Sequence, residues 1–353
     1  MLPFPPITAQ SELFHEAVIK QVTIETPEAS TFVIEPVEGT WNWKAGQFIT
    51  FVIPTLTGLV RRSYSFSSAP GEIPAITVKR IPNGIFSRPM LESALPGDRL
   101  TVAGGPSGFF VLPDEVETYD QLFFLAAGSG ITPIFAMIKD LLNRGIHLPI
   151  VLAYSNSSPA TALFRQPLER LAESHPNLKI KWYYSNEQDL LKARLSKTTL
   201  EILLGESLRG SPLKTLAYLC GPFDYMRMAA IVLQVFGIPA ANIKREVFTP
   251  ETPAGNIKPP DTDAHQVTIS IRGSVHHLAV QYPQTILAAA KARGIELPYS
   301  CEAGRCGSCI ASCVQGGVWM RYNEVLTDRE VEQGRVLICQ SFPVGGDVTI
   351  EYE

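Results

Sequence analysis

The chain has 353 residues, of which 45% are apolar and 18% charged, with a net charge of −4. That length allows two or three domains with cores of ordinary size, and the balance is wrong for disorder. The mild charge leaves no basic footprint for nucleic acid and no polybasic patch for a membrane surface, and no uninterrupted apolar run of about 18 residues is present to cross one.

The opening stretch MLPFPPITAQ has neither a basic n-region nor an apolar h-region, so it does not read as a signal peptide and the expected location is cytoplasmic. From about Leu13 to Pro113, short alternating runs (VIKQVTI, STFVIEPV, GQFITFVI, ITVKR, RLTVA) are punctuated by Pro36, Gly39, Pro54, Gly58, Gly71 and Gly97. Many short strands at this spacing predict a β-barrel or sandwich over residues 1–113. Within it, VKRIPNGIFSRPMLESAL reads as a strand, a turn at Gly84 and a helix starting near Ser87, a residue type suited to the N-cap. Such a helix start offers N–H groups to a phosphate.

Over residues 114–248 the pattern changes to continuous apolar strands alternating with helical stretches, from QLFFLAA and IFAMIKDLLNRG to TLAYLCG and DYMRMAAIVLQVFG. This predicts an α/β unit with a mostly parallel sheet. Gly128-Ser129-Gly130-Ile131-Thr132-Pro133 stands between the first strand and its helix, where glycines permit close backbone approach and a helix N-terminus attracts a pyrophosphate. Alone, such a turn is also what a plain strand–helix connection looks like. It gains weight from Cys220-Gly221-Pro222, which follows another buried strand.

Residues 249–264 are rich in proline and polar residues and read as a linker. Residues 265–353 form a small α+β unit in which five of the six cysteines fall between Cys301 and Cys339. Cys301, Cys306 and Cys309 make a C-x4-C-x2-C pattern, with Cys339 following after 29 intervening residues. This is the plant-type spacing for a 2Fe–2S cluster held by four thiolates, whereas zinc sites favour C-x2-C pairs. Cys339 lies in VLICQS, which reads as strand-like, and Cys313 as a small buried hydrophobe. His276 and His277 fall in a predicted strand and read as structural.

Taken together, these motifs resemble the ferredoxin–NADP reductase family, in the form that carries a C-terminal plant-type ferredoxin domain and serves oxygenases. The resemblance spans nearly the whole chain in the same domain order. It implies a multidomain protein with a β-barrel flavin domain, an α/β Rossmann-like nucleotide domain and an α+β, β-grasp ferredoxin domain. Arg62-Ser63-Tyr64-Ser65 matches the family's R-x-Y-S motif, which implies Arg62 on a phosphate, Tyr64 against the flavin and Ser65 at flavin N5. Gly84 and Ser87 match its G-x-x-S pattern. By the same resemblance Thr132 and Cys220 flank the nicotinamide ring, and Glu246 and Phe248 lie near the flavin.

The implied cofactors are FAD rather than FMN, a 2Fe–2S cluster, and NADPH or NADH. Relatives carry Asn-Arg after the second strand of the nucleotide unit, where this chain has Asn156-Ser157-Ser158, with Arg165 as a substitute cation. The absence of an acid at that turn favours NADPH. The implied activity is hydride transfer from NAD(P)H to the flavin, then single electrons to the cluster and on to a terminal oxygenase, epoxidase or desaturase, phenylacetyl-CoA epoxidase among them. The linker is expected to let the ferredoxin unit dock and swing. Two other readings remain: a redox-sensing or assembly component with the same cofactors, and a zinc-bearing interaction protein.

Overall fold

The computed structural model describes residues 13–55, 58–189, 193–248 and 257–352; the opening MLPFPPITAQ and residues 249–256 of the expected linker lie outside them. Three sheets follow one another along the chain. The first comprises β1 (Phe14–Thr26), β2 (Ala29–Pro36), β3 (Phe48–Thr55), β4 (Gly58–Ser65), β5 (Ala75–Lys79) and β6 (Arg99–Ala103), all antiparallel, in the order β4-β3-β6-β1-β2-β5. Alternate residues point inward, so Ala17, Ile19, Phe32, Ile34, Ile49, Phe51 and Val102 make the core. A bridge from Phe66 to Ile76 joins the two edges into a barrel. In β4 only Ser65 is fully buried, and of the preceding GLVRRSY only Tyr64 packs against the core.

The second sheet is parallel throughout: β7 (Gln121–Ala127), β8 (Ile150–Asn156), β9 (Leu178–Tyr184), β10 (Thr215–Cys220) and β11 (Ile243–Glu246), in the order β11-β10-β7-β8-β9. All six residues of β10 are buried, as a strand covered on both faces requires. Helices Ile131–Asn143 and Arg165–Ser174 supply one core, and Lys197–Ser207 and Phe223–Val235 the other. The chain winds from β7 to β8 on one side and to β10 on the other, which leaves a crevice at the carboxyl ends of β7 and β10.

Barrel and nucleotide unit share a core: Ala45, Phe110 and Leu112 pack with Ile134 and Met137 of the first helix. Tyr218 Oη donates to the Val111 carbonyl at 2.7 Å, and Lys139 pairs with Glu72 of the barrel.

The third sheet holds β12 (His265–Ile271), β13 (Ser274–Val280), β14 (Ile310–Met320), β15 (Arg335–Leu337) and β16 (Ser341–Glu351), in the order β13-β12-β16-β14-β15. Only β12 and β16 pair in parallel. Helix Ile286–Ala292 starts where Thr285 accepts from the Ala288 amide at 3.1 Å, and it buries Ile286, Leu287, Ala289 and Ala290 on the sheet.

Three expectations need correction. Cys339 lies in the turn between β15 and β16, because the strand-like VLICQS stops at Leu337. Cys313 is half-buried on β14, its thiol against the Gln315 and Gly316 carbonyls, because β14 runs past the rim of the core. The described end of the expected linker is tied down. There Asp261 accepts from the Gly345 amide at 2.8 Å and pairs with His265 Nε2 at 2.7 Å.

Candidate functional site

The crevice of the parallel sheet is built from two glycine loops in backbone contact. Gly128–Gly130 forms a tight turn after β7 and leads directly into helix Ile131–Asn143, with Pro133 in its first turn. A Cβ on Gly130 would collide with the Cys220 carbonyl, and one on Gly221 would stand 2.9 Å from the Ala127 side chain. The two loops meet only because both positions lack side chains. Pro222 follows, exposed, at the start of the helix Phe223–Val235. Thr132 is buried, and its hydroxyl donates to the Ser129 carbonyl at 3.0 Å, stiffening the turn.

Gly130→Ala is therefore expected to force these loops apart. The cost is about 1–3 kcal/mol in a urea melt, together with a raised KM for the pyridine nucleotide. An unchanged midpoint and KM would show that the contact is not needed.

The barrel closes this crevice from the other side. Register places Cys220 beside Glu246 across β10 and β11, and Ser65 Oγ donates to Glu246 Oε2 at 3.2 Å. Ser65, Cys220 and Glu246, separate by up to 181 positions, thus converge at one point where three elements end. Burial pushes the Glu246 carboxyl up to about 8, against the opposing effect of the Ser65 hydrogen bond. The residue as a whole is half-buried, so the group is a protonatable acid in a shielded place. Burial, and then Glu246, push the Cys220 thiol far up, which keeps it neutral. Phe248 is 45% exposed just beyond Glu246.

Along β4 the motif residues divide by face. Tyr64 packs on Phe86 and Phe51 at centroid distances of 5.1 and 6.1 Å. Arg62 is exposed, and its Nη1 donates to the Arg61 carbonyl at 2.8 Å. Ser63 bonds Thr50 Oγ1 at 2.9 Å. Ser87 is not the N-cap of its helix, as the sequence led us to expect: the cap position is Phe86 and the helix is Ser87–Ser93. The Ser87 hydroxyl instead turns back over Gly84 and accepts from the Ile81 amide at 3.2 Å, closing the Gly84 turn. On the nucleotide side, Asn156 is buried, Ser157 is exposed, and Arg165 is held by Glu169 at 2.9 Å.

In the third sheet unit the four predicted ligand cysteines come together as two pairs. Cys301 and Cys306 are hydrogen-bonded to one another, and so are Cys309 and Cys339. The Cys306 thiol holds the Cys301 thiol below its ordinary value, and amides of Ala303, Arg305 and Cys306 add to this against burial. The Cys301 amide points at Cys306 Sγ and the Ala303 amide at Cys301 Sγ, both at 3.4 Å. Among the described residues no three such side chains are spaced to grip a single ion. Two thiol pairs, each able to take one iron, inside a loop of inward-pointing amides, fit a 2Fe–2S centre.

Sequence reading missed the contact between this loop and the barrel. Gly307 has φ of +75°, and a Cβ there would strike the Phe109 ring of the barrel. Ser300 shares a hydrogen bond with Ser63, and Arg61 Nη1 donates to the Tyr299 carbonyl at 2.7 Å. No local signal could reveal a contact between residues 238 positions apart.

The 2Fe-2S iron-sulfur cluster binding domain family matches residues 269–344, and the oxidoreductase NAD-binding domain family matches residues 124–230. The ferredoxin reductase component of 3-ketosteroid-9-alpha-monooxygenase from Rhodococcus rhodochrous is 31% identical, over 98% of this chain and 98% of its own. A component of the 1,2-phenylacetyl-CoA epoxidase from Escherichia coli is 32% identical, over 96% of this chain and 98% of its own. Phthalate dioxygenase reductase superposes with a TM-score of 0.59 at 23% identity, covering 96% of this chain and 98% of that one. An intact type IV self-sufficient cytochrome P450 monooxygenase gives a TM-score of 0.73 at 22% identity; the match covers 98% of this chain and only 42% of the other. At these identities the two structures speak for the fold.

Proposed function

The chain belongs to the reductase components of multicomponent monooxygenases, built on the ferredoxin–NADP reductase fold with a C-terminal 2Fe–2S domain, and from that premise we propose how its residues divide the work. Its cofactors are FAD, a 2Fe–2S cluster and NAD(P)H. Bound here, a flavin would supply two-electron hydride acceptance and a 2Fe–2S cluster one-electron transfer, which together would let one NAD(P)H give NAD(P)+, a proton and two electrons.

Gly128, Gly130, Gly221 and Pro222 form the floor on which the pyridine nucleotide lies, with the helix after Gly130 facing its pyrophosphate. Thr132 and Cys220 set the position of the nicotinamide ring; Cys220, neutral and buried, does this by packing rather than as a nucleophile. Tyr64, Ser65 and Phe248 bound the flavin ring, Arg62 meets a flavin phosphate, and Ser63, Gly84 and Ser87 hold the strand and turn that carry these contacts. Glu246 holds a proton on its carboxyl beside Ser65. Cys301, Cys306, Cys309 and Cys339 would hold the cluster, as the pairs Cys301–Cys306 and Cys309–Cys339. These units correspond to residues 1–113, 114–248 and 265–353, joined by 249–264.

The acceptor is the oxygen-activating component of such a system, an oxygenase or epoxidase, in line with the two curated relatives. NADPH is the preferred donor, because the Asn156-Ser157-Ser158 turn offers hydroxyls and no carboxylate to repel a 2′-phosphate. The convergence of Ser65, Cys220 and Glu246 carries the whole reading.

An anaerobic titration followed by visible absorption tests it. Stepwise NADPH should bleach flavin and then cluster bands, at a lower concentration than NADH. A protein that neither donor bleaches is not a reductase, and an earlier endpoint with NADH reverses the donor preference.

A further inference from the structure

We propose that Arg61 is a positioning residue: it latches the 2Fe–2S unit onto strand β4, so that one strand holds both the hydride pocket and the cluster loop. The inference rests on the reductase reading above. In a strand, alternate residues share a face and successive members stand about 7 Å apart. On β4 the odd-numbered face carries Ser65, Ser63 and Arg61. Ser65 bonds Glu246 at the hydride pocket. Ser63 bonds Ser300, the neighbour of Cys301, and Thr50 at 2.9 Å, so a chain of three hydroxyls crosses between the units. Arg61 donates to the Tyr299 carbonyl and lies 3.6 Å from the Tyr299 ring centroid. One strand repeat thus separates the hydride pocket from the cluster loop, and the latch sits one repeat further on.

The strand is suited to this contact because the barrel leaves it open. In its sheet β4 pairs with β3 alone, and none of its first seven residues is buried. Two rings flank the Arg61 guanidinium: Tyr299 of the other unit at 3.6 Å and, more distantly, Phe14 of β1 at 5.9 Å. Burial is the main influence on its guanidinium, and the groups that favour its charge, Tyr299, Glu296 and Glu302, all belong to the 2Fe–2S unit. The receiving ring is pre-set: Lys291 Nζ lies 4.5 Å from its centroid and bonds Glu302 at 2.8 Å.

Arg61 Nε is buried without a protein hydrogen-bond partner among the described residues, so the guanidinium is only partly satisfied by the contact. Beside the contact lies a cleft of about 410 Å³, lined by Gln47, Arg61, Phe109, Tyr299 and Ser308.

The test uses the full-length, cofactor-loaded protein and its variants Arg61→Met and Tyr299→Leu. Hydrogen–deuterium exchange is read on peptides covering residues 58–65 and 296–309, and rapid mixing with NAD(P)H separates flavin reduction from the cluster reduction that follows. In both variants the two peptides should lose protection. Flavin reduction should stay within about twofold of the parent, while cluster reduction slows about tenfold or more. Arg61→Lys, which keeps a cation over the ring, should recover most of the cluster rate; general damage to the barrel would not be rescued in this way. Parent-like protection or a parent-like cluster rate in Arg61→Met and Tyr299→Leu overturns the latch. If the parent flavin were not reduced at all, the reductase reading would fail, and the exchange data would still decide whether Arg61 holds the units together.

Discussion

Cys339→Ser is expected to yield a yellow protein that reacts with NAD(P)H but no longer feeds single electrons to a protein acceptor. Cys339 is 4% exposed and contacts Cys309, so the two sulfurs form one jaw of the proposed cluster site. Serine offers a harder, shorter donor whose proton is lost far less readily than that of a thiol. Loss of an outer-shell partner costs about 10–100-fold in metal affinity, so loss of a ligand should cost on the order of 100-fold or more. Iron and acid-labile sulfide should fall toward zero and reduction of a cluster-dependent acceptor should fall in proportion, while flavin reduction by NAD(P)H is kept. The variant should also melt earlier, because Cys309 and Cys339 sit in the same core as Val267, Leu287 and Ile338. A buried, unpaired hydroxyl there adds about 1–3 kcal/mol to the loss of metal-linked stability. Retention of stoichiometric iron would remove Cys339 from the ligand set.

The proposed cluster ligands were the most legible part of the sequence because their spacing is local: three thiols within nine residues suggest a loop that curls round a metal centre. The crevice was legible for a related reason. Gly130 and Gly221 each follow an apolar strand, and parallel strands with that punctuation bring their carboxyl ends to one edge. Ser87 was misplaced because both the N-cap and the first helical residue favour a small hydroxyl side chain; only the structure shows that its oxygen faces back to Ile81. Strand β14 went unnoticed because Gln315, Gly316 and Gly317 break the alternation that marks a strand, at the register shifts in its pairing with β16. Helix Lys197–Ser207 was hidden by its sequence too, since KTTLEILLGES mixes β-branched and glycine residues and is held by its Ser196 cap and by Leu200, Leu203 and Leu204 in the core. The ion pair of Lys139 with Glu72 and the stack of Arg61 on Tyr299 depend on how whole units meet, and that is written in no local pattern.

The same meeting of units sets the second large effect, the dependence on Glu246. Its carboxyl is shifted upward, from an ordinary value of 4.5 to about 8, mainly by burial. The folded protein therefore holds a proton at this site over a range of pH in which the unfolded chain has already released it. Stability from this group is complete below about 4.5 and is lost as pH climbs through about 8, at about 1.4 kcal/mol for each unit separating folded and unfolded values. Glu246→Gln removes that titration while keeping a side chain of the same shape against Ser65. In urea melts the variant should match the parent near pH 5 and exceed it by a few kcal/mol near pH 9. The reaction should respond in the same direction. A neutral carboxyl beside Ser65 places a proton and no charge at the hydride pocket, and ionisation puts an uncompensated anion there. Parent turnover should fall above about pH 8, and Glu246→Gln should show a flat profile through that range, at a rate about 10–100-fold lower if the proton itself is used. If the parent and the variant lost stability equally between pH 5 and pH 9, the carboxyl would have to be ionised throughout, and the shielded acid at the junction of barrel and sheet would have to be abandoned.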